Sequence, residues 1–310
     1  MEVIKYSANY KDAWDAFVAT SKNGTFMLQR DYMDYHADRF EDHSLLFYKK
    51  GKLVAVLPAN VVGKEVQSHG GLSYGGILSG ASMKAQLMLD IFEVLLSYFR
   101  GLGFTSITYK AIPHIYHQLP AEEDLYALFR SNAILYRRDL NAVISLANKL
   151  PYNNLRKRKL KQAALQGLQI ELSQNYEQFL SISQQILTAK YNTFPAHTAV
   201  ELQLIASRFP DNIKLYTITQ GSILLAGILI FETSTVSHCQ YIASTPQGQN
   251  IGALDLLTDY LLTKVYAHKL YFSFGVSTEQ QGLYLNKDLM LNKESYGART
   301  ITHDFYSINL

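Results

Sequence analysis

A loop-like segment that contains several small residues precedes an amphipathic stretch in the second half of the chain. It occupies residues 244–253 and reads Ser-Thr-Pro-Gln-Gly-Gln-Asn-Ile-Gly-Ala. The first N–H groups of a helix have no partner within the helix and carry partial positive charge. A loop of this kind can therefore gather backbone amides around a pyrophosphate. The pattern predicts a phosphate-binding site formed by Gln249, Asn250, Ile251, Gly252 and Ala253. The alternative is a plain strand-to-helix turn.

A second unusual segment lies in the first half, where four glycines surround one tyrosine. Residues 70–76 read Gly-Gly-Leu-Ser-Tyr-Gly-Gly. Glycines beside a strand end remove side chains, so a ligand or another stretch of backbone can come close. The segment predicts either a ligand-facing wall that contains Ser73 and Tyr74, or a bulged strand followed by a turn.

One basic run, residues 156–161, reads Arg-Lys-Arg-Lys-Leu-Lys. Its simplest interpretation is the solvated start of a helix. The alternative is contact with the phosphates of tRNA or another nucleic acid, and such binding would weaken steeply with salt. The net charge of +3 is too small to indicate nucleic-acid binding by itself.

Two other kinds of chemistry are disfavoured. Cys239 is the single cysteine, so no internal disulfide can form. It follows His238 within a strand-like run, and adjacent strand residues point to opposite faces, which argues against a cysteine–histidine pair. His114 and His117 have no cysteine or carboxylate at ligand spacing, so we expect no metal site.

The chain repeats itself. A hairpin signature, in which a glycine turn separates two apolar runs, occurs at Gly51 and again at Gly221, 170 residues later (221 − 51). An amphipathic stretch opens with Leu-Asp at residues 89–90 and at 254–255, 165 residues later (254 − 89). Strand-like runs follow at 104–109 and 269–274. Two nearly equal offsets indicate duplicated domains.

Hydrophobic periodicity predicts the same order of elements in each half. For the first half we expect a strand at 3–6, helices around Trp14 and at 32–40, and a strand at 44–48. For the second half we expect strands at 168–172, 214–219, 223–231, 236–242 and 299–308, and helices at 176–191, at 198–209 and from Gly252. Pro and Asn residues at 151–154 place the boundary near residue 150.

This order of elements resembles that of GNAT acyltransferases. The loop resembles the GNAT coenzyme A loop at Gln249 and Gly252, whereas Leu254 departs from the pattern at its last position. The segment 271–277, together with 282–284 and 292–298, resembles the closing segment of Fem-type transferases. Residues 158–163 with Gly167 resemble the start of that family's second domain. The long helical arm of some Fem-type members is absent.

The resemblance implies an α+β fold with two tandem GNAT-like domains, 1–150 on the acceptor side and 151–310 on the donor side. Each would hold a mixed, mostly antiparallel sheet flanked by helices. It implies that Lys293 lies near the acyl donor, and that Tyr284 and Tyr296 can protonate the leaving group. It also implies acceptor contacts from Ser73, Tyr74, Arg158 and Tyr241. The alternative for Lys293 is a solvent-exposed helix lysine, and the alternative for Tyr284 and Tyr296 is packing without a catalytic role.

The function implied is N-acyl transfer from acyl-coenzyme A or aminoacyl-tRNA to an amine of a peptidoglycan, sugar or peptide precursor. The donor would be a co-substrate, and no tightly bound cofactor is expected. A second hypothesis, motivated by Leu254, is a catalytically inactive module that binds a nucleotide-sugar or a peptide.

Composition sets further bounds. Of the 310 residues, 48% are hydrophobic and 18% are charged, which is typical of a globular protein with ample core. No apolar run approaches the length of a membrane span, and the N-terminal residues lack a secretory signal pattern, so we expect a cytoplasmic protein. The oligomeric state is left open.

Overall fold

The computed structural model describes residues 1–191 and 193–310. The helices are α1 (Lys11–Thr20), α2 (Arg30–Met33), α3 (Ala85–Gly101), α4 (Glu123–Arg130), α5 (Asn154–Ala163), α6 (Tyr176–Tyr191), α7 (Ala199–Arg208), α8 (Pro246–Ile251), α9 (Ala253–Tyr260) and α10 (Lys287–Glu294). None of these helices combines the length and the hydropathy needed to cross a membrane.

The strands up to residue 145 are β1 (Glu2–Lys5), β2 (Glu41–Asp42), β3 (Leu45–Lys49), β4 (Lys52–Leu57), β5 (Asn60–Val62), β6 (Glu65–Gln67), β7 (Leu78–Ser79), β8 (Ser106–Lys110) and β9 (Ile134–Ser145). The later strands are β10 (Gln169–Ser173), β11 (Ile213–Gln220), β12 (Ile223–Glu232), β13 (Val236–Ser244), β14 (Tyr271–Val276), β15 (Thr278–Glu279), β16 (Tyr284–Leu285) and β17 (Arg299–Asn309).

The chain forms two compact units, and each is discontinuous in sequence. The first unit comprises residues 1–140, 278–284 and 302–310, and the second comprises 141–277 and 285–301. The boundary expected near residue 150 therefore lies at 140/141, and the last strand residues return to the first unit. Long-range pairing is the cause, because residues 305–309 of β17 pair with 106–110 of β8. The Pro and Asn residues at 151–154 mark only the start of α5, where Asn153 Oδ1 accepts a hydrogen bond from the Arg156 N–H at 2.9 Å.

In the first unit, β1, β3, β4 and β7 form an antiparallel sheet. The hairpin expected at Gly51 is confirmed as β3–β4, with Lys50 and Gly51 both at positive φ in its turn. The apolar face of α3, which includes Phe92, Leu95 and Phe99, is buried in the core of this unit. The single helix expected at 32–40 is not found. Instead, α2 ends at Met33 and a 3₁₀ helix follows, in which His36 has non-helical φ and ψ angles.

In the second unit, β10, β11, β12 and β13 form an antiparallel meander, and β14 lies between β13 and β9. The hairpin expected at Gly221 is confirmed as β11–β12. The central strand β12 is apolar along almost its whole length because both of its faces are covered. The helix α9 buries Ala253 and Leu257 against this sheet.

Candidate functional site

The strands β13 and β14 separate within the second unit. They pair in parallel only where residues 236–238 face 271–273. The partners Leu229↔Tyr241 and Ile230↔Cys239 leave Gln240 without a partner on β12, which is a β-bulge. In β14, Gly275 takes a φ of +76° just beyond the paired segment. Strand separation and the bulge therefore open the sheet at one point.

A cleft of about 430 Å³ lies at this opening. Small-molecule sites typically occupy roughly 300–1,000 Å³. Its apolar lining residues are Ile186, Leu187, Ile242, Leu254, Phe274 and Leu289. Its polar lining residues are Arg156, Lys159, Ser244, Gln249, Asp255, Thr258, Asn292, Lys293 and Tyr296. An apolar wall with a few convergent polar groups is the composition expected of a ligand site.

Lys293 lies in the wall of this cleft on α10 and is 6% exposed. Its ammonium donates to the carbonyl oxygens of Gly275 and Val276, each at 2.8 Å, and to Ser277 Oγ at 2.9 Å. Within the described residues no carboxylate forms an ion pair with it. Because burial penalises the charged form, the pKa of Lys293 falls to about 8. The solvated-lysine alternative is therefore wrong: this is a buried cation held by neutral groups.

A buried ion pair lies in the same cleft. Arg156 Nη1 donates to Asp255 Oδ1 at 2.5 Å, and its Nε donates to Ser295 Oγ at 2.7 Å. The guanidinium stacks on the Tyr296 ring, 4.2 Å from its centroid. The Tyr296 hydroxyl lies 3.4 Å from Asp255 Oδ1, and burial raises the pKa of Tyr296, so the phenol keeps its proton at neutral pH. Of the predicted site residues, Lys293, Tyr296 and Gln249 meet at this cleft.

The predicted phosphate loop has a different local structure from the one expected. Residues 246–251 form the short helix α8, whose cap is Thr245, and Gly252 links it to α9 at a φ of +78°. A Cβ on Gly252 would lie 3.0 Å from the Lys159 carbonyl oxygen. Glycine is required here because α5 packs closely on this turn. Gln249 and Asn250 are exposed, whereas Gly252 and Ala253 are buried.

Three other predicted residues lie outside the cleft lining. Tyr284, expected beside Lys293 and Tyr296, is half exposed in the first unit and does not line the cleft. Arg158 is exposed on α5. The hydroxyl of Tyr241 lies 2.7 Å from His197 Nδ1 in the second unit.

The glycine-rich segment has a packing role in the first unit. Tyr74 is 2% exposed, and its hydroxyl donates to Thr25 Oγ1 at 3.1 Å, so it forms no ligand-facing wall. Ser73 is exposed beside it. A Cβ on Gly75 would lie 2.1 Å from the Ser68 carbonyl oxygen. Because glycine has no Cβ, neighbouring groups of the same unit can pack closely against this segment.

Sequence reasoning missed the roles of Arg156 and Asp255. In the sequence, Asp255 stands out only as part of a repeated Leu-Asp pair, and Arg156 only as part of a basic run. A local signal was nevertheless available. An acidic residue on the buried face of an amphipathic helix needs a cation, so the sequence indicates that Asp255 is paired but not with which cation.

Comparison with known proteins gives the class of fold. No protein-family model matches the sequence, and no curated protein matches it by sequence. The structure is similar to that of FemX, with a TM-score of 0.68 and 11% identity over 100% of this chain and 98% of that one. It is similar to L-PGS from Bacillus licheniformis, with a TM-score of 0.61 and 12% identity over 98% and 92% of the two chains.

A third similar structure is a tandem GNAT protein from the clavulanic acid biosynthesis pathway. Its TM-score is 0.50 at 10% identity, over 99% of this chain and 98% of that one. At such identities the similarity shows the fold and not the activity. The chain thus has the α+β fold of tandem GNAT-type proteins, as its sequence predicts.

Proposed function

We propose that the protein is an N-acyltransferase whose donor binds in the cleft of the second unit. The observation that carries this proposal is Lys293, a buried cation that has no anionic partner among the described residues and lines an open cleft between separating strands. Burying an uncompensated charge costs free energy, and a cation with a strongly shifted pKa that also lines a cleft is a candidate functional group. Its three N–H groups are already donated, so an anionic group of a ligand in the cleft would offset the charge itself.

The proposed reaction joins an amine to an acyl group. The amine nitrogen attacks the carbonyl carbon of the donor, a C–N bond forms, and the C–O or C–S bond to the carrier breaks. The amine loses a proton and the leaving oxygen or sulfur gains one. The ammonium of Lys293 offsets negative charge that develops at the ester or thioester. Tyr296, whose pKa is raised by burial, stays protonated and can donate to the leaving group.

We propose that the backbone of β13 supplies a second stabilising group. The bulge leaves Gln240 without a partner residue on β12, two residues beyond His238, the last residue paired with β14. A peptide at a bulge can turn its amide out of the ladder and donate it to a carbonyl oxygen. Either acyl-coenzyme A or aminoacyl-tRNA can present such a carbonyl. The resemblance to Fem-type transferases favours cell-envelope sugars or peptides as the first acceptors to test.

Donor binding can be tested by titrating the full chain with acetyl-coenzyme A and with charged tRNA. We expect one of the two to bind at micromolar levels. Leu254→Trp should weaken that binding about tenfold or more, because a bulky ring would fill the cleft at the cost of roughly 1.4 kcal/mol or more. The matched control is Leu256→Trp, since Leu256 is partly buried on the same helix and does not line the cleft.

Two outcomes would contradict the assignment. One is the absence of binding by both donors at high micromolar concentration. The other is equal weakening by the two tryptophan variants, which would point to a general disturbance of α9.

A further inference from the structure

The helix α5 and the residues on either side of it carry unbalanced positive charge. From residue 149 to residue 170 the sequence holds six cations and no Asp or Glu; the cations are Lys149, Arg156, Lys157, Arg158, Lys159 and Lys161. Arg156 is paired with Asp255, while Lys157, Arg158 and Lys161 are exposed. The other acid of the neighbouring α9, Asp259, accepts from the Tyr152 hydroxyl at 2.9 Å. Among the described residues, no carboxylate forms an ion pair with Lys157, Arg158 or Lys161, so their positive charge is exposed and unpaired.

Two solvent-exposed leucines flank these cations. Leu155 is 47% exposed at the start of α5, and Leu165 is 85% exposed just after its end. Gly167, at a φ of +64°, ends the segment. Single exposed leucines are ordinary on protein surfaces. Two that bracket a run of exposed cations make a surface with both apolar and positive character.

We propose that α5, together with Leu165, docks on an anionic membrane surface. A bilayer interface accepts apolar side chains at the acyl boundary and cations at the phosphate level, so it satisfies both kinds of exposed residue. A nucleic-acid backbone would satisfy the cations alone. Sequence-independent binding to single strands also relies on aromatic side chains for base stacking, and α5 has none. The combination favours lipid over RNA.

The docking surface lies beside the cleft. Lys159 of α5 lines the cleft, and its ammonium donates to the Gln249 carbonyl oxygen at 3.3 Å. A membrane held by α5 would therefore lie near the cleft mouth. This inference does not depend on acyl transfer, because membrane docking is measured without donor or acceptor.

Vesicle sedimentation of the full chain tests the proposal. We expect binding to vesicles of phosphatidylcholine mixed with phosphatidylglycerol, and much weaker binding to pure phosphatidylcholine. Each cation near such a surface contributes about 1 kcal/mol, so the triple variant K157E/R158E/K161E should bind at least about 100-fold more weakly. The matched control K5E/K52E/K64E makes the same change of charge at exposed lysines of the first unit and should retain binding.

The double variant L155Q/L165Q distinguishes a membrane from a polyanion. We expect it to lose about tenfold in vesicle binding, because buried CH₂ groups contribute to partitioning. The proposal is overturned if the wild-type chain does not bind the anionic vesicles, or if the control triple variant loses as much binding. It is equally overturned if the protein binds tRNA through the same cations and the leucine changes leave vesicle binding intact.

Discussion

Replacing Lys293 with Met is expected to lower the rate of acyl transfer by about 100-fold or more, the usual effect of removing one group that stabilises developing charge. Met has a similar length and no charge, so it fills the same space while the positive charge that offsets the developing negative charge is lost. The fold should persist, because Lys293 contacts neutral acceptors and breaks no ion pair when removed. Single-turnover rates with the donor identified by titration measure the effect.

The first unit supplies a matched control for this variant. Lys110 also donates to three backbone carbonyls, those of His69, Gly70 and Leu72, and burial lowers its pKa to about 8 as well. Lys110→Met thus removes a similarly held cation far along the sequence from the proposed donor cleft. We expect it to retain transfer activity. Equal loss of activity in both variants would contradict a specific role for Lys293.

Lys293→Met should also change how the free energy of unfolding depends on pH. With a folded pKa near 8 and an unfolded value near 10.4, the unfolded chain holds more protons between these limits. The stability of the wild-type protein therefore rises with pH across this window, and Lys293 contributes about 3 kcal/mol to the rise. Lys293→Met should remove most of that amount from the rise between pH 7.5 and pH 10. Denaturant unfolding at pH 7.5 and pH 10 measures it, and an unchanged slope would show that Lys293 is not buried as a cation.

The second large effect is expected at the buried ion pair. Asp255→Ala should reduce the free energy of unfolding by about 3–5 kcal/mol, since it leaves the Arg156 guanidinium buried without its counter-charge. The Tyr296 ring beneath the guanidinium offers only a weaker partner. Urea unfolding of the purified variant measures the change.

A double variant separates the lost ion pair from lost packing. Arg156→Met combined with Asp255→Ala removes both charges and should recover most of the loss, because no buried charge is then left unpaired. If the double variant is as unstable as the sum of the two single variants, the pair contributes packing alone. The electrostatic interpretation would then be wrong.

Much of the fold could be predicted because its elements are local. The hairpins at Gly51 and Gly221 follow from turn residues between apolar runs, and α3 and α9 follow from helical periodicity. The helix α8 was not expected, because Pro246 and Gly248 read as loop residues although Thr245 caps the turn. The discontinuous units could not be read from local pattern, since the pairing of β17 with β8 joins residues almost 200 positions apart.

The candidate site was harder to predict than the fold. The resemblance to Fem-type transferases points to Lys293, and its burial and lowered pKa add a physical reason. The glycines around Tyr74 suggest a ligand-facing wall, yet close packing explains them: a Cβ on Gly75 would meet the Ser68 backbone, and one on Gly76 would meet the Tyr109 ring. Asp255 and Arg156 are 99 residues apart and meet only in the folded chain. Contacts of this kind depend on tertiary structure and leave no short motif.

The most direct test of the donor cleft is a crystal structure of the full chain soaked with coenzyme A and, separately, with an aminoacylated adenosine that mimics the tRNA terminus. The proposed function predicts that one of these ligands occupies the cleft between β13 and β14, with its reactive end at Lys293 and Tyr296. Density for either ligand at another place on the protein, with this cleft empty at saturating concentration, would contradict it.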